Sequence, residues 1–301
     1  MRKPLDKTAV SLMLCLCALW GLQQVAIKVA SPSLNPVLQI GVRCSVAVVL
    51  LMAYMMLRGE RFWRRDGTLW PGLMAGTAFA LEFFCVAWGL LYTTASHMVV
   101  FMYTMPIFAA LGLHWFVPGE RLGRLQWVGV FVAFLGIVCA FSSGFFTVAD
   151  DVASMLIGDF LGIAAGFFWA ATTLIIRRTV LSETAPAKTL FYQLAVTAAL
   201  LVPVGYFVFQ EGHVRMVPIA WLSMLYQSVL VGFVSLMFWF WLLRHYLASR
   251  VSVFSFMTPL FGVTFGVVLL NDPMDIWFVL GAALVVAGIM LVNWQGVRAR
   301  R

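Results

Sequence analysis

Ten apolar runs follow one another along the chain, near residues 8–29, 36–57, 70–91, 97–117, 125–143, 157–176, 188–208, 218–242, 251–270 and 275–294. Each is about as long as the roughly 20 residues a helix needs to cross the hydrocarbon core of a bilayer. Within lipid every backbone N–H and C=O must find its partner inside the protein, so such runs are read as helices. Only 11% of residues are charged and 63% are hydrophobic, against about 25% charged in an average soluble protein. The expected fold class is therefore an all-α polytopic membrane protein with ten transmembrane helices, leaving little chain for a separate soluble head.

The formal charge of +8 invites a nucleic-acid reading, but the positions of the cations oppose it. With the N-terminus placed inside, 17 of the 20 Lys and Arg fall on or near the cytoplasmic side, the exceptions being Lys28, Arg43 and Arg215. Such a bias is a topology signal. Both termini are expected on the cytoplasmic side of the plasma (inner) membrane, with no nucleic-acid partner. Asp150, Asp151, Glu211, Asp272 and Asp275 fall in loops assigned to the outside. The first run follows Lys3 and Lys7 but shows no convincing small-residue cleavage site, so it reads as a retained helix.

The chain also repeats itself. Residues 95–106 (ASHMVVFMYTMP) and 248–259 (ASRVSVFSFMTP) share Ala95/Ala248, Ser96/Ser249, Val100/Val253, Phe101/Phe254 and Pro106/Pro259. Trp88 meets Trp241 at the same offset. Gly129, Gly136 and Ile137 meet Gly281, Gly288 and Ile289 one residue closer, and Trp20 and Trp169 are 149 apart. Two five-helix repeats are expected, over residues 1–146 and 147–301. Five is odd, so the second must enter the membrane from the opposite side. Inverted repeats are the signature of secondary transporters, whose site lies between the halves near the midplane.

With its Trp20–Gly21 pair, its counterpart Trp169 and the paired Ala-Ser…Phe…Pro segments, the chain resembles the drug/metabolite transporter superfamily and, within it, the EamA-type exporters. The likeness covers nearly the whole length. It implies a basket of helices around a central cavity, with the fifth and tenth helices away from the pathway. The implied activity is export of small metabolites such as hydrophobic or aromatic amino acids, or of drugs and other metabolites.

Several residues could carry that chemistry. Glu82 lies mid-way along the third run, where an ionisable group is costly and belongs in the interior or a wet cavity. It can contact substrate, couple transport to protons, or be structural. Arg43, seven residues after Pro36, suits a carboxylate with its planar fork, or reaches outward to headgroups. Trp20, Gln24 and Lys28 lie at i, i+4 and i+8, matched by Trp169, Thr173 and Arg177; each row is either a pathway lining or a packed aromatic with a snorkelling cation. Phe101 and Tyr103, with Phe254 and Phe256, could hold an apolar side chain. Pro106 and Pro259 each remove a helical hydrogen bond, and Ser96 and Ser249 start the two helices that they interrupt, so these four are candidates for kinking or gating. The third, fourth, eighth and ninth helices are expected to form the main walls.

Other chemistries find no support. A lipid-modifying membrane enzyme would need His, Asp, Glu or Ser gathered near one interface, and none are gathered. His97, His114, His213 and His245 are scattered, the five cysteines show no paired spacing, and no GxxxxGK[ST] loop signals an ATP-driven motor. No catalytic residue, metal or cofactor is expected; the partners are a small-molecule substrate and the lipid bilayer.

Overall fold

The computed structural model describes residues 5–59, 66–93, 95–117, 120–142, 152–209, 214–270 and 276–293. The acidic loop residues Asp150, Asp151, Glu211, Asp272 and Asp275 lie outside the described residues. Ten apolar helical segments account for nearly all the rest: α1 (Lys7–Ala30), α2 (Pro36–Leu57), α3 (Leu69–Gly89), α4 (Ala95–Met102 and Met105–Phe116) and α5 (Arg124–Ala140). Then come α6 (Val152–Arg178), α7 (Pro186–Phe209), α8 (Pro218–His245), α9 (Ala248–Val253 and Met257–Leu270) and α10 (Ile276–Asn293). Eight are long and apolar enough to cross a membrane, and α5 and α10 are shorter apolar helices. The protein is all-α and crosses the membrane many times. The sixth helix starts five residues earlier than the hydropathy suggests.

Local chemistry sets the helix starts. Asp6 caps α1 by accepting from the Ala9 N–H at 2.9 Å, and Asn35 caps α2 by accepting from Leu38 N–H at 2.9 Å. Prolines open α2, α7 and α8 at a position where a missing N–H costs nothing. In α4 the helix breaks at Tyr103–Thr104 directly before Pro106; in α9 a 3₁₀ turn at Phe254–Phe256 precedes Pro259. Hydroxyls bond the backbone beside each break, Thr104 Oγ1 donating to the Phe101 carbonyl and Ser255 Oγ to the Ser252 carbonyl, each at 2.6 Å. The middle of α8, Tyr226–Ser235, is a π-helix.

The first five helices pack against the second five. α2 lies on α7, α3 on α6 and α7, α1 on α8 and α9, α4 on α6, and α5 on α10. The α5–α10 contact is made by glycines: a Cβ on Gly129 would stand 2.7 Å from the Gly288 oxygen, and one on Gly136 2.7 Å from the Gly281 oxygen. Backbones approach this closely only where side chains are missing. Gln126 adds a bond from its Nε2 to the Val292 carbonyl at 3.0 Å. At the face bearing the start of α1, Lys188 Nζ donates to Asp66 Oδ2 and Thr68 Oγ1 to Asp66 Oδ1, both at 2.6 Å, tying the α2–α3 connection to α7.

Candidate functional site

A cavity of about 210 Å³ lies between the two groups of helices. A buried water needs roughly 10–15 Å³ by this measure, so there is room for a small solute. Its lining follows helical periodicity. α3 contributes Phe79, Glu82, Phe83, Val86, Ala87 and Leu90, a single stripe at i, i+3, i+4, i+7, i+8 and i+11; α2 contributes Pro36, Ile40, Arg43 and Cys44. α1 adds Trp20, Gln23 and Ile27, α6 adds Trp169, Thr172, Thr173 and Ile176, and α8 adds Leu236, Trp239 and Phe240 after Val231 and Gly232 of its π-helix. α7 supplies Gln193 and Leu194, α4 Met102 and Tyr103, and α9 Thr258.

This corrects the expectation that α3, α4, α8 and α9 are the main walls. α1, α2 and α6 line the cavity more heavily than α4 and α9, because the interrupted helices touch it only at their breaks. α5 and α10 supply no described lining residue.

An arginine and a glutamate share the space. Arg43 and Glu82 are 3% and 5% exposed, and neither Arg43 Nη1 nor Glu82 Oε2 has a hydrogen-bond partner among the described residues. The guanidinium carbon sits 4.8 Å from the centroid of the Phe83 ring, a cation–π contact that holds Arg43 inward rather than toward headgroups. Uncompensated buried polar atoms are costly, more so when charged. The cavity wall therefore carries one unpaired donor atom and one unpaired acceptor atom.

Around these charges the aromatics are fixed against one another. Trp20 Nε1 donates to Ser235 Oγ at 2.8 Å, and the Trp20 ring meets Trp239 edge-on at 5.4 Å. Ser235 occupies the position matching Glu82 in the second half of the sequence, and Gln193, matching Arg43, also lines the cavity. Tyr103 meets Trp169 edge-on at 5.8 Å.

Of the residues singled out in the sequence, Trp20, Arg43, Glu82, Tyr103, Trp169 and Thr173 converge on the cavity. The side chain of Gln24 lies outside the described residues, as does that of Ser96. Phe101, Phe254 and Phe256 do not line the cavity. Phe254 and Phe256 are turned into the core by the 3₁₀ turn, which presents Thr258 instead; the Phe254 carbonyl accepts from Cys17 Sγ, and Phe256 packs 6.3 Å from Tyr103. Phe101 packs over Gly162 of α6. Lys28 is exposed, so the inward face of α1 runs Trp20, Gln23, Ile27.

Sequence reasoning missed Gln23, Thr172, Gln193, Trp239, Phe240 and Thr258. Extending the helical rows from Trp20 and Trp169 by three residues would have found the first two. It also missed Glu120. This buried acid accepts from Arg177, from the Ala248 and Ser249 amides at 3.1 and 3.2 Å, and from Ser249 Oγ at 2.8 Å. Arg177 thus neither lines the cavity nor snorkels. Among the described residues no group of three or more His, Cys, Asp or Glu could hold a metal.

The EamA-like transporter family matches this chain twice, over residues 7–142 and 156–294. An uncharacterised transporter of Archaeoglobus fulgidus is 28% identical over 285 residues, covering 91% of this chain and 93% of that protein. A probable amino-acid metabolite efflux pump of Salmonella typhimurium is 27% identical, covering 96% of each, and one of Escherichia coli is 25% identical, again covering 96% of each. A crystal structure with 19% identity superposes over 99% of this chain and 100% of its own with a TM-score of 0.81, which establishes the fold alone. The chain belongs to the EamA-like transporter family and is a multi-pass membrane transporter.

Proposed function

We propose that this protein exports small hydrophobic or aromatic amino acids and related metabolites across the inner membrane by alternating access. The observation that carries the reading is the pair Arg43 and Glu82, opposite charges with unpartnered atoms in one aromatic-walled cavity. A zwitterion offers a carboxylate for the guanidinium and an ammonium for the carboxylate. Trp20, Tyr103, Trp169 and Trp239 then offer apolar area to its side chain. A lipophilic cation would gain from Glu82 and the rings but meet Arg43. That two similar proteins carry the description of probable amino-acid metabolite efflux pumps agrees with this reading.

The proposed machinery is a pair of inverted five-helix repeats, residues 1–146 and 147–301, with both termini cytoplasmic. Reciprocal contacts support it. Gly129 and Gly136 match Gly281 and Gly288 in sequence, and Gly129 packs on Gly288 as Gly136 packs on Gly281. Tyr246 in the α8–α9 turn donates to Asp6 at the start of α1 (2.9 Å); Thr93 in the α3–α4 turn donates to Asp159 near the start of α6 (2.5 Å). Such exchange of partners is what a two-fold relation between halves produces. Pro106 and Pro259 supply bends in the matching helices α4 and α9.

The test is flux of radiolabelled phenylalanine and methionine in proteoliposomes bearing wild type or Glu82→Gln, with and without a pH gradient. Saturable flux that the substitution abolishes is expected, and its response to the gradient separates proton coupling from facilitated diffusion. Absence of flux for both amino acids, from folded protein, would move the assignment to another exported metabolite.

A further inference from the structure

The cavity reaches an exposed side chain, Leu90, in one direction and is thinly closed in the other. It reaches Ile27, Pro36 and Leu90, at the end of α1, the start of α2 and just past the end of α3, all on the face opposite the start of α1. Toward the face that bears the start of α1, a second hollow of about 10 Å³, the size of one water, is lined by Thr184, Pro186, Thr189 and Arg244 among others. The two hollows share two lining residues, Ile176 and Phe240. Both side chains are 4% exposed. They are the wall between the cavity and that face.

The residue after Ile176 is Arg177, and its guanidinium is bound to the backbone that follows Phe240. Nη1 donates to the Leu243 carbonyl at 2.6 Å and Nη2 to the Tyr246 carbonyl at 2.7 Å. Nη2 also pairs with Glu120, whose carboxylate caps the first amides of α9 at Ala248 and Ser249. One ion pair, with side chains 0% and 3% exposed, therefore clasps the end of α6, the end of α8, the start of α9 and the α4–α5 connection. Drawing the α6 and α8 ends apart, which parts Ile176 from Phe240, breaks the Arg177 bonds to Leu243 and Tyr246.

We propose that Ile176 and Phe240 are the cytoplasmic gate of the transport pathway and that the buried Glu120–Arg177 pair is the latch that holds it shut in this conformation. The latch rests on the transporter reading and on placing the start of α1 in the cytosol. Substrate leaving the cytosol passes the hollow at Thr184 and Thr189 before it reaches Arg43 and Glu82. Tyr246, whose hydroxyl donates to Asp6 at 2.9 Å, ties the start of α1 to the same clasp.

The experiment measures access rather than flux. A cysteine at the cavity wall, Thr172→Cys, is placed in a protein whose five native cysteines are replaced. A membrane-impermeant maleimide is applied to oriented vesicles from either face, with the latch intact, with Arg177→Gln and with Glu120→Gln. Both latch variants are expected to raise the labelling rate from the cytoplasmic face at least tenfold and to lower it from the opposite face. Leu51→Cys, in a fully buried core position away from the cavity, reports misfolding: a loosened protein labels there too, and the Thr172→Cys comparison is then repeated with the milder Arg177→Lys. Labelling that stays confined to the opposite face in folded variants overturns the latch while leaving the transporter reading intact. A reporter reached from neither face overturns the pathway and the gate together.

Discussion

Replacing Arg43 by Gln tests the zwitterion reading most directly. The guanidinium is 3% exposed, rests on Phe83 at 4.8 Å and has Nη1 unpartnered, so a substrate carboxylate would make a charge-assisted bond out of contact with bulk water. Such bonds contribute about 1.5–3 kcal/mol, and each 1.4 kcal/mol is about tenfold in affinity. The half-saturating phenylalanine concentration should thus rise about 10- to 150-fold. Competition by phenethylamine, which keeps the ring and ammonium but has no carboxylate, should not weaken, because removing Arg43 removes only repulsion from the ammonium. The assay is inhibition of labelled phenylalanine counterflow in proteoliposomes by each compound. Equal loss for both compounds would mean that Arg43 shapes the cavity instead of binding the carboxylate, and the reasoning would fail.

Two further outcomes are expected. Gly136→Val places its Cβ 2.7 Å from the Gly281 oxygen and the Val285 nitrogen, so α5 and α10 must move apart at a cost of about 1–3 kcal/mol; thermal unfolding in detergent should occur earlier while flux per folded molecule is unchanged. Lys188, aided by Thr68, holds the Asp66 carboxyl down to about 2, below the roughly 3.9 of an unfolded Asp, so its stabilisation is full above that value and is lost as pH falls toward 2. The pair is partly exposed and contributes below about 1 kcal/mol after screening; the unfolding-midpoint gap between wild type and Asp66→Asn should be constant near neutrality and close between about pH 4 and 2.

The membrane class and the ten helices were legible because burial in lipid leaves its mark on every residue of a span. Breaks at Pro106 and Pro259 were legible too, since a proline acts on its own turn. Glu82 stood out because a charge in an apolar run has few tolerable places. The aromatic assignments fared unevenly for a geometric reason. Tyr103, beside its helix break, reaches the cavity, whereas Phe254 and Phe256 occupy a 3₁₀ turn whose rotation per residue differs from that of an α-helix, so helical spacing misplaced them. Glu120 was invisible because its partners, Arg177, Ala248 and Ser249, are brought to it only by tertiary packing. Arg43 was ambiguous in sequence because depth alone does not say which side of α2 faces Phe83.

The short fifth helix has a consequence for the surrounding lipid. Seventeen residues, bounded by Gly123 and Phe141, rise about 26 Å at 1.5 Å each, whereas the 22 residues of α2 rise about 33 Å. A hydrocarbon core is about 30 Å thick. Acyl chains beside α5 must therefore shorten or disorder where those beside α2 can extend, at a fraction of a kcal/mol per ångström. Thinning of the bilayer along that one flank would relieve the mismatch, and short-chain lipids would accommodate it.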